Sequence, residues 1–445
     1  MKNAPQSIAL ACGMFLALSA TAETSLDELI QRELPSLVET YQRLHAAPEL
    51  SHHEEKTSAF LAKELRALGF DTTERVGKYA NSAWTCYGVV AVLKNGDGPT
   101  VLARTDLDGL PVEEKTGVAY ASKAKAKSDS GEEVAAMHAC GHDIHITSLL
   151  GSAQALVQIR DQWRGTLVLI GQPAEEPGHG AKALLDDGLY TRFPKPDFAL
   201  ALHDNAELET GKVGVTPGYL LSSATTIDIT VRGIGGHGAW PEKTKDPVVA
   251  AAQIILALQT IVSRENSPRD PVVITVGSIH GGLKPNIIPD EVKLQLTVRA
   301  YKEEVRLKLV AAIERVAKGI AAAAGIPDDR APIVKVAGST PATYSDPALT
   351  QRLTGVFEKA LGAENVARLD PVMGSEDFAR FGLEGHQIPI CLFWVGAADP
   401  AKVAASQKSG VSLPSLHSPL FAPVPEPTIR TAVKAMTSAV VELMK

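Results

Sequence analysis

The sequence predicts an α/β protein, a mostly parallel sheet with helices on both faces, carrying an inserted ferredoxin-like α+β unit. Short apolar runs such as Thr166 to Ile170 alternate with helical stretches through the first half, as expected of strands buried on both sides. From about Gly218 the order becomes strand, helix, strand, strand, helix, strand, which is ferredoxin-like. After about Pro341 the first pattern resumes, so the chain leaves one sheet and returns to it. At 445 residues and 45% hydrophobic content there is material for two packed cores.

The elements follow in order. Lys2, the apolar run Ile8 to Leu18 and Ala20-Thr21-Ala22 have the charged, greasy and small-residue order of a secretory signal over residues 1–22. The run is short of the ~20 apolar residues that span a bilayer, so the expectation is cleavage after Ala22, a periplasmic or secreted protein and no membrane insertion. The mature chain then divides into a first part of the larger domain over 23–217, the insert over 218–340 and a second part of the larger domain over 341–445.

Leu26 to Leu44 has helical apolar spacing, and Ser51 with Glu54 reads as a capping box opening a helix through Leu68. Gly88 to Leu93 and Thr100 to Ala103 flank Asn95-Gly96-Asp97-Gly98, a hairpin signature. A solvated loop is expected over Ala121 to Glu133, a helix from Asp143 to about Ile159, a helix over Ala181 to Leu185 and a strand over Phe198 to Leu202. The insert reads as strand Thr225 to Val231, helix Pro247 to Val262, strands Val272 to Ile279 and Val292 to Arg299, helix Glu303 to Ala324 and strand Ile333 to Val336. Strand Ile390 to Val395 and helix Ile429 to Met444 close the chain.

A formal charge of −7 offers no basic surface for nucleic acid or anionic lipid. Without Cys12, three cysteines remain, Cys86, Cys140 and Cys391. An odd number in an oxidising compartment leaves one for another task, such as metal ligation.

The chemistry concentrates in a few places. His138-Ala139-Cys140-Gly141-His142-Asp143 puts a thiol between two imidazoles just before a helix, a spacing suited to metal. Cys140 and His142 are the better ligands; His138 serves equally well as a packing residue, and Asp143 as a helix cap. Glu175 and Glu176 follow a buried strand, where open α/β sheets place their sites, and neighbouring side chains of an extended chain point opposite ways. Asp106, Asp108 and His203 reach the same rim from other strand ends. Carboxylates gathered there repel one another unless a divalent cation joins them. His417 is neutral on spacing alone, the Gly235 to Gly238 segment around His237 reads equally as a turn, and Asn286 and Arg299 are uncommitted.

Together these residues resemble the metallo-aminoacylase and zinc-exopeptidase superfamily, in its branch of hippurate hydrolases and indoleacetyl-amino-acid hydrolases. The matching segments are Pro48 to Ser51, Asp106 to Pro111, His138 to Asp143, Gln172 to Glu176, Leu202-His203, Gly235 to His237, Asn286 to Asp290, Gly374 to Phe378 and Leu416 to Pro419. The resemblance implies two divalent metal ions, zinc, manganese, cobalt or nickel, on Cys140, His142, Glu176, His203 and His417. It implies Glu175 as general base, with Asp108 in the catalytic set and His237 as oxyanion stabiliser reaching in from the smaller domain. Asn286 and Arg299 would hold the carboxylate of a small N-acyl amino acid, and a homodimer would form through that domain. Departures lie at the Ala121 to Glu133 loop, at Asp204-Asn205 and at Trp240 and Glu242. A dipeptidase or carboxypeptidase on the same centre, or a non-catalytic periplasmic binding protein on the same scaffold, are the competing readings.

Overall fold

The computed structural model describes Met1 and residues 25–383 and 385–445. All but Met1 of the expected signal, and Cys12, lie outside them. Helix α1 (Leu26–Ala46) starts on a capping box between Ser25 and Glu28 and is followed by α2 (Glu55–Ala67), β1 (Asp71–Val76), β2 (Gly88–Asn95) and β3 (Thr100–Asp106). A small hairpin, β4 (Lys125–Lys127) and β5 (Glu133–Ala135), precedes α3 (His142–Gln158), β6 (Gly165–Gln172), α4 (Gly180–Asp186), α5 (Leu189–Arg192), β7 (Phe198–Glu209) and β8 (Val213–Val215).

After β9 (Gly218–Leu221) come β10 (Ser223–Arg232), the short β11 (Gly236–His237), α6 (Pro247–Thr260), β12 (Val272–His280), β13 (Ile287–Ile288), β14 (Glu291–Ala300), α7 (Glu303–Ala323) and β15 (Ile333–Thr340). The chain returns through β16 (Thr343–Ser345), α8 (Pro347–Leu361), β17 (Val366–Arg368), β18 (Ile390–Ala398), α9 (Pro400–Ser409) and α10 (Pro425–Leu443).

Eight strands form the large sheet in the order β1-β2-β6-β3-β7-β18-β8-β17. Its centre, β6-β3-β7-β18, is parallel, and every residue of β18 is buried. Alternate residues feed opposite cores: Val101, Ala103, Leu167 and Leu169 pack with α3 and α10, whereas Leu102, Val168 and Ile170 pack with α4 and the Phe378 to Phe381 turn. Period-two alternation on a doubly covered sheet requires both faces to be apolar.

The smaller sheet, ordered β12-β14-β10-β15, is antiparallel. With α6 and α7 it has its own core of Ile227, Ile254, Leu294, Leu296 and Leu309. The strands that leave and return, β9 and β16, pair side by side. Continued to Glu265, α6 is apolar enough over 19 residues to cross a membrane by length and composition, yet Ala250, Ile254 and Leu258 face this core.

Three local expectations are overturned. β2 and β3 are not a hairpin: β6 lies between them, antiparallel to β2 and parallel to β3. The Asn95 to Gly98 turn therefore steps across a strand, because the apolar run of β6 needs neighbours on both sides. Ser51 does not cap α2; its hydroxyl donates to Asp108 Oδ2 at 2.6 Å, and Glu54 takes the N-cap position without a side-chain cap bond. The Ala121 to Glu133 segment is not only a solvated loop, since it contributes the β4–β5 pairing.

Candidate metal centre

Gly141, at φ 76°, stands at the N-cap of α3 and turns the chain between Cys140 and His142 in a conformation glycine adopts freely. Cys140 Sγ lies 3.2 Å from His417 Nε2 and 3.6 Å from His203 Nε2. Ligands at ordinary zinc–sulfur and zinc–nitrogen lengths on a tetrahedron are separated by about 3.5 Å. His417 arrives from the loop between α9 and α10, where its N–H donates to Ala139 O at 2.7 Å. Its φ of 67° is a left-handed conformation uncommon outside glycine and typical of functional sites.

Glu175 and Glu176 come from the turn after β6. Glu175 Oε2 and Glu176 Oε1 each lie 3.9 Å from His142 Nε2, and Glu176 Oε2 is 3.4 Å from His417 Nε2. The expectation that they point opposite ways fails, because the backbone here is a tight turn, with Gly178 N–H donating to Glu175 O, and not extended chain. Ligand atoms of Cys140, His142 and His203, of Cys140, Glu176 and His417, and of His142, Glu175 and Glu176 lie within 4.8 Å of one another in each group. His142 is gripped from behind: its Nδ1 donates to Asp108 O at 2.7 Å and lies 3.3 Å from Asp108 Oδ1, leaving Nε2 for the centre. Asp108 in turn accepts from Ser51 and from Glu176 N–H at 3.1 Å.

The electrostatics ask for cations. Burial, then the charges of Glu376, Glu176 and Asp377, hold Glu175 well above the usual carboxylate range against the pull of Arg104. Glu176 is pushed up to about 7 by burial and by Asp108 and Asp106, with His142 opposing. The Cys140 thiol is driven well up by burial and by Glu176 and Glu175. His142 Nε2, Glu176 Oε1 and Asp108 Oδ1 are buried without hydrogen-bond partners. Thiolate, imidazole and carboxylate donors in this state fit divalent metals.

Beneath the centre lies Arg104, 2% exposed. Its guanidinium donates to Gln172 Oε1 at 2.9 Å, Asp106 Oδ2 at 2.7 Å and Glu376 Oε1 at 2.8 Å, joining two strand ends to the Glu376 segment. Arg104→Met is expected to lower stability by about 3–5 kcal/mol, since Asp106, Glu376 and Asp377, the last 3.4 Å away, lose a buried counter-ion. Urea unfolding with chelator present checks this, and an unchanged midpoint would contradict it.

The other expected residues sit elsewhere. His237 is exposed on β11, its Nδ1 accepting from Ala239 N–H at 3.1 Å and its ring against Trp240. Asn286 O accepts from Gly238 N–H, so these contacts of His237 and Asn286 stay within the small sheet's unit. Arg299 reaches across, donating to Met373 O at 2.7 Å. Asp143 is not the N-cap of α3, a position Gly141 holds; from the first turn its Oδ1 accepts from Ile144 N–H at 2.9 Å and its Oδ2 holds His45 Nδ1 at 2.7 Å. His138 is buried with neither ring nitrogen partnered. Cys86, Cys140 and Cys391 are free and buried.

Sequence reasoning missed His145 and Arg104. His145 Nδ1 lies 2.7 Å from Asp106 Oδ1; burial resists its charging, but Asp106 and Asp204 raise it to about 9. The available signals were three-residue spacing from His142 on one helix face and a lone cation in an apolar strand.

Residues 102–418 match the model of the peptidase family M20/M25/M40. The N-acetyl-L-cysteine deacetylase of Bacillus subtilis (strain 168) is 35% identical over 350 residues, covering 78% of this chain and 77% of that protein. The hippurate hydrolase of Campylobacter jejuni is 36% identical over 343 residues, covering 76% and 83%. A solved dinuclear metal-binding peptidase of the M20 family from Bacillus subtilis superimposes with a TM-score of 0.72 at 27% identity over 93% of this chain and 99% of that one. With its clustered ligand atoms and a family match that runs from β3 to the His417 loop, the chain belongs to the M20/M25/M40 peptidases and is a metal-dependent hydrolase of amide bonds.

Proposed function

We propose that the protein hydrolyses N-acyl or N-aroyl amino acids to a carboxylic acid and a free amino acid. The observation that carries the mechanism is Glu175, a buried carboxylate of raised proton affinity 3.9 Å from His142 Nε2. Cys140, His142, Glu176, His203 and His417 would hold two divalent cations, zinc, manganese, cobalt or nickel. When bound, these would supply charge that makes a water acidic near neutral pH and polarises the scissile carbonyl. Glu175 takes the proton from the attacking water and returns it to the leaving nitrogen, a task that its burial suits. Asp108 holds His142 in the tautomer that presents Nε2.

The remaining roles follow the same reading. The 218–340 unit acts as a lid that brings His237 to the developing oxyanion and Asn286 and Arg299 to the substrate carboxylate. A second copy of the chain covers the exposed apolar side chains of α6, Val249 and Leu256, and residues 1–22 direct export. The names of two relatives, a hippurate hydrolase and an N-acetyl-L-cysteine deacetylase, support an acylated amino acid as substrate.

The test is turnover by the metal-reconstituted protein of N-acyl amino acids, N-aroyl amino acids and free dipeptides, with chelator as control. Acylated substrates are expected to be cleaved, chelator to abolish cleavage and dipeptides to be slower, because their ammonium group would enter the site uncompensated. Preference for dipeptides would replace this reading with a dipeptidase.

A further inference from the structure

We propose that Asp204 is a positioning residue of the metal centre, which orients His203 and, through His145, ties the two cation positions into one unit. The proposal rests on the two-cation reading above.

Three observations carry it. His203 Nδ1 donates to Asp204 O at 2.8 Å and lies 3.2 Å from Asp204 Oδ1. That repeats, within 0.1 Å, the grip of Asp108 on His142, at 2.7 and 3.3 Å. Two imidazoles on different elements, α3 and β7, are thus each held by the carbonyl and the carboxylate of one aspartate, with Nε2 turned toward the centre.

The same carboxylate also continues inward. Asp204 N–H donates to His145 Nε2 at 3.0 Å with Asp204 Oδ1 3.2 Å from the same nitrogen, His145 Nδ1 is 2.7 Å from Asp106 Oδ1, and Asp106 Oδ2 is 3.6 Å from His142 Nε2. Close contacts run from His203 through Asp204 and His145 to Asp106, whose second oxygen stops 3.6 Å short of His142 Nε2, and none of the five is more than 7% exposed.

Finally, Asp204 Oδ2 is buried and unpartnered. It occupies the space left by Gly141, where a Cβ would fall 2.3 Å from it. A carboxylate placed between the two ligand-bearing segments at this desolvation cost belongs to a site of positive charge. Carboxylates behind ligand imidazoles fix ring orientation and raise ligand basicity, and removing one costs about 10–100-fold in metal affinity.

The experiment titrates cation-free protein with Zn²⁺ by calorimetry, counts bound zinc by elemental analysis and records thermal unfolding without zinc. It compares the wild type with Asp204→Asn, Asp204→Leu and His145→Gln. The wild type is expected to bind two zinc ions per chain, and Asp204→Asn to bind both about 10–100-fold more weakly, with an unfolding midpoint close to that of the wild type. Asp204→Leu is weaker still. Combined with His145→Gln, the Asp204→Asn effect is less than additive, as expected of one network.

Two zinc ions on the wild type with unchanged affinity in Asp204→Asn overturn the proposal alone. A lower midpoint for that variant with wild-type zinc affinity also overturns it, leaving a structural role only. Fewer than two zinc ions on the wild type overturn the two-cation reading, and the proposal with it.

Discussion

Glu175→Gln is expected to lower kcat by about 10²–10⁴, the usual worth of a positioned general base, while both cations stay bound. The side chain is isosteric, so the turn after β6 and the Gly178 N–H to Glu175 O bond survive. What disappears is the capacity to accept a proton. Glu175 is the carboxylate whose burial and whose neighbours Glu376, Glu176 and Asp377 raise its proton affinity, which suits a group that must carry a proton between water and amine. Glu176, by contrast, also approaches His417 at 3.4 Å, on the side of the Cys140 ligand group. Elemental analysis and steady-state kinetics on one preparation give the answer, and wild-type turnover in the variant would remove Glu175 from the reaction.

Cys140→Ala is expected to strip metal from the protein and abolish activity. The sulfur is the atom that His203 and His417 share, at 3.6 and 3.2 Å, so its loss opens both ligand groups at once. Removal of an outer-shell partner alone costs about 10–100-fold in affinity; a ligand costs more, and dialysis then empties the site. A buried thiol pushed this far up is a thiolate only beside a cation, which makes the residue dependent on metal as much as metal on the residue. Full occupancy after dialysis would take Cys140 out of the ligand set.

Much of this was legible in the sequence, and the reasons are local. A doubly buried strand is continuously apolar, so β6 and β18 announced themselves, and the insert's strand and helix order is a short-range pattern. Cys140 and His142 are two residues apart in sequence and close in space. His417 was not legible from spacing, because it reaches Cys140 across 277 residues through one backbone bond to Ala139 O. The supposed β2–β3 hairpin failed for the same reason: turn chemistry at Asn95 to Gly98 describes four residues, whereas strand order depends on β6, which follows much later. Arg104 stayed unnoticed, and Asp204 stood out only as a departure near the pocket mouth, because a buried charge reveals its purpose only with its partners, Asp106, Glu376 and His145.

The slot between β2 and β3 has a consequence for synthesis. A ribosome delivers both flanking strands well before β6, so the edges of β2 and β3 that face this slot stay unsatisfied at least until translation passes residue 172. Such edges invite pairing with other chains, and a holdase that masks them would matter most in this interval.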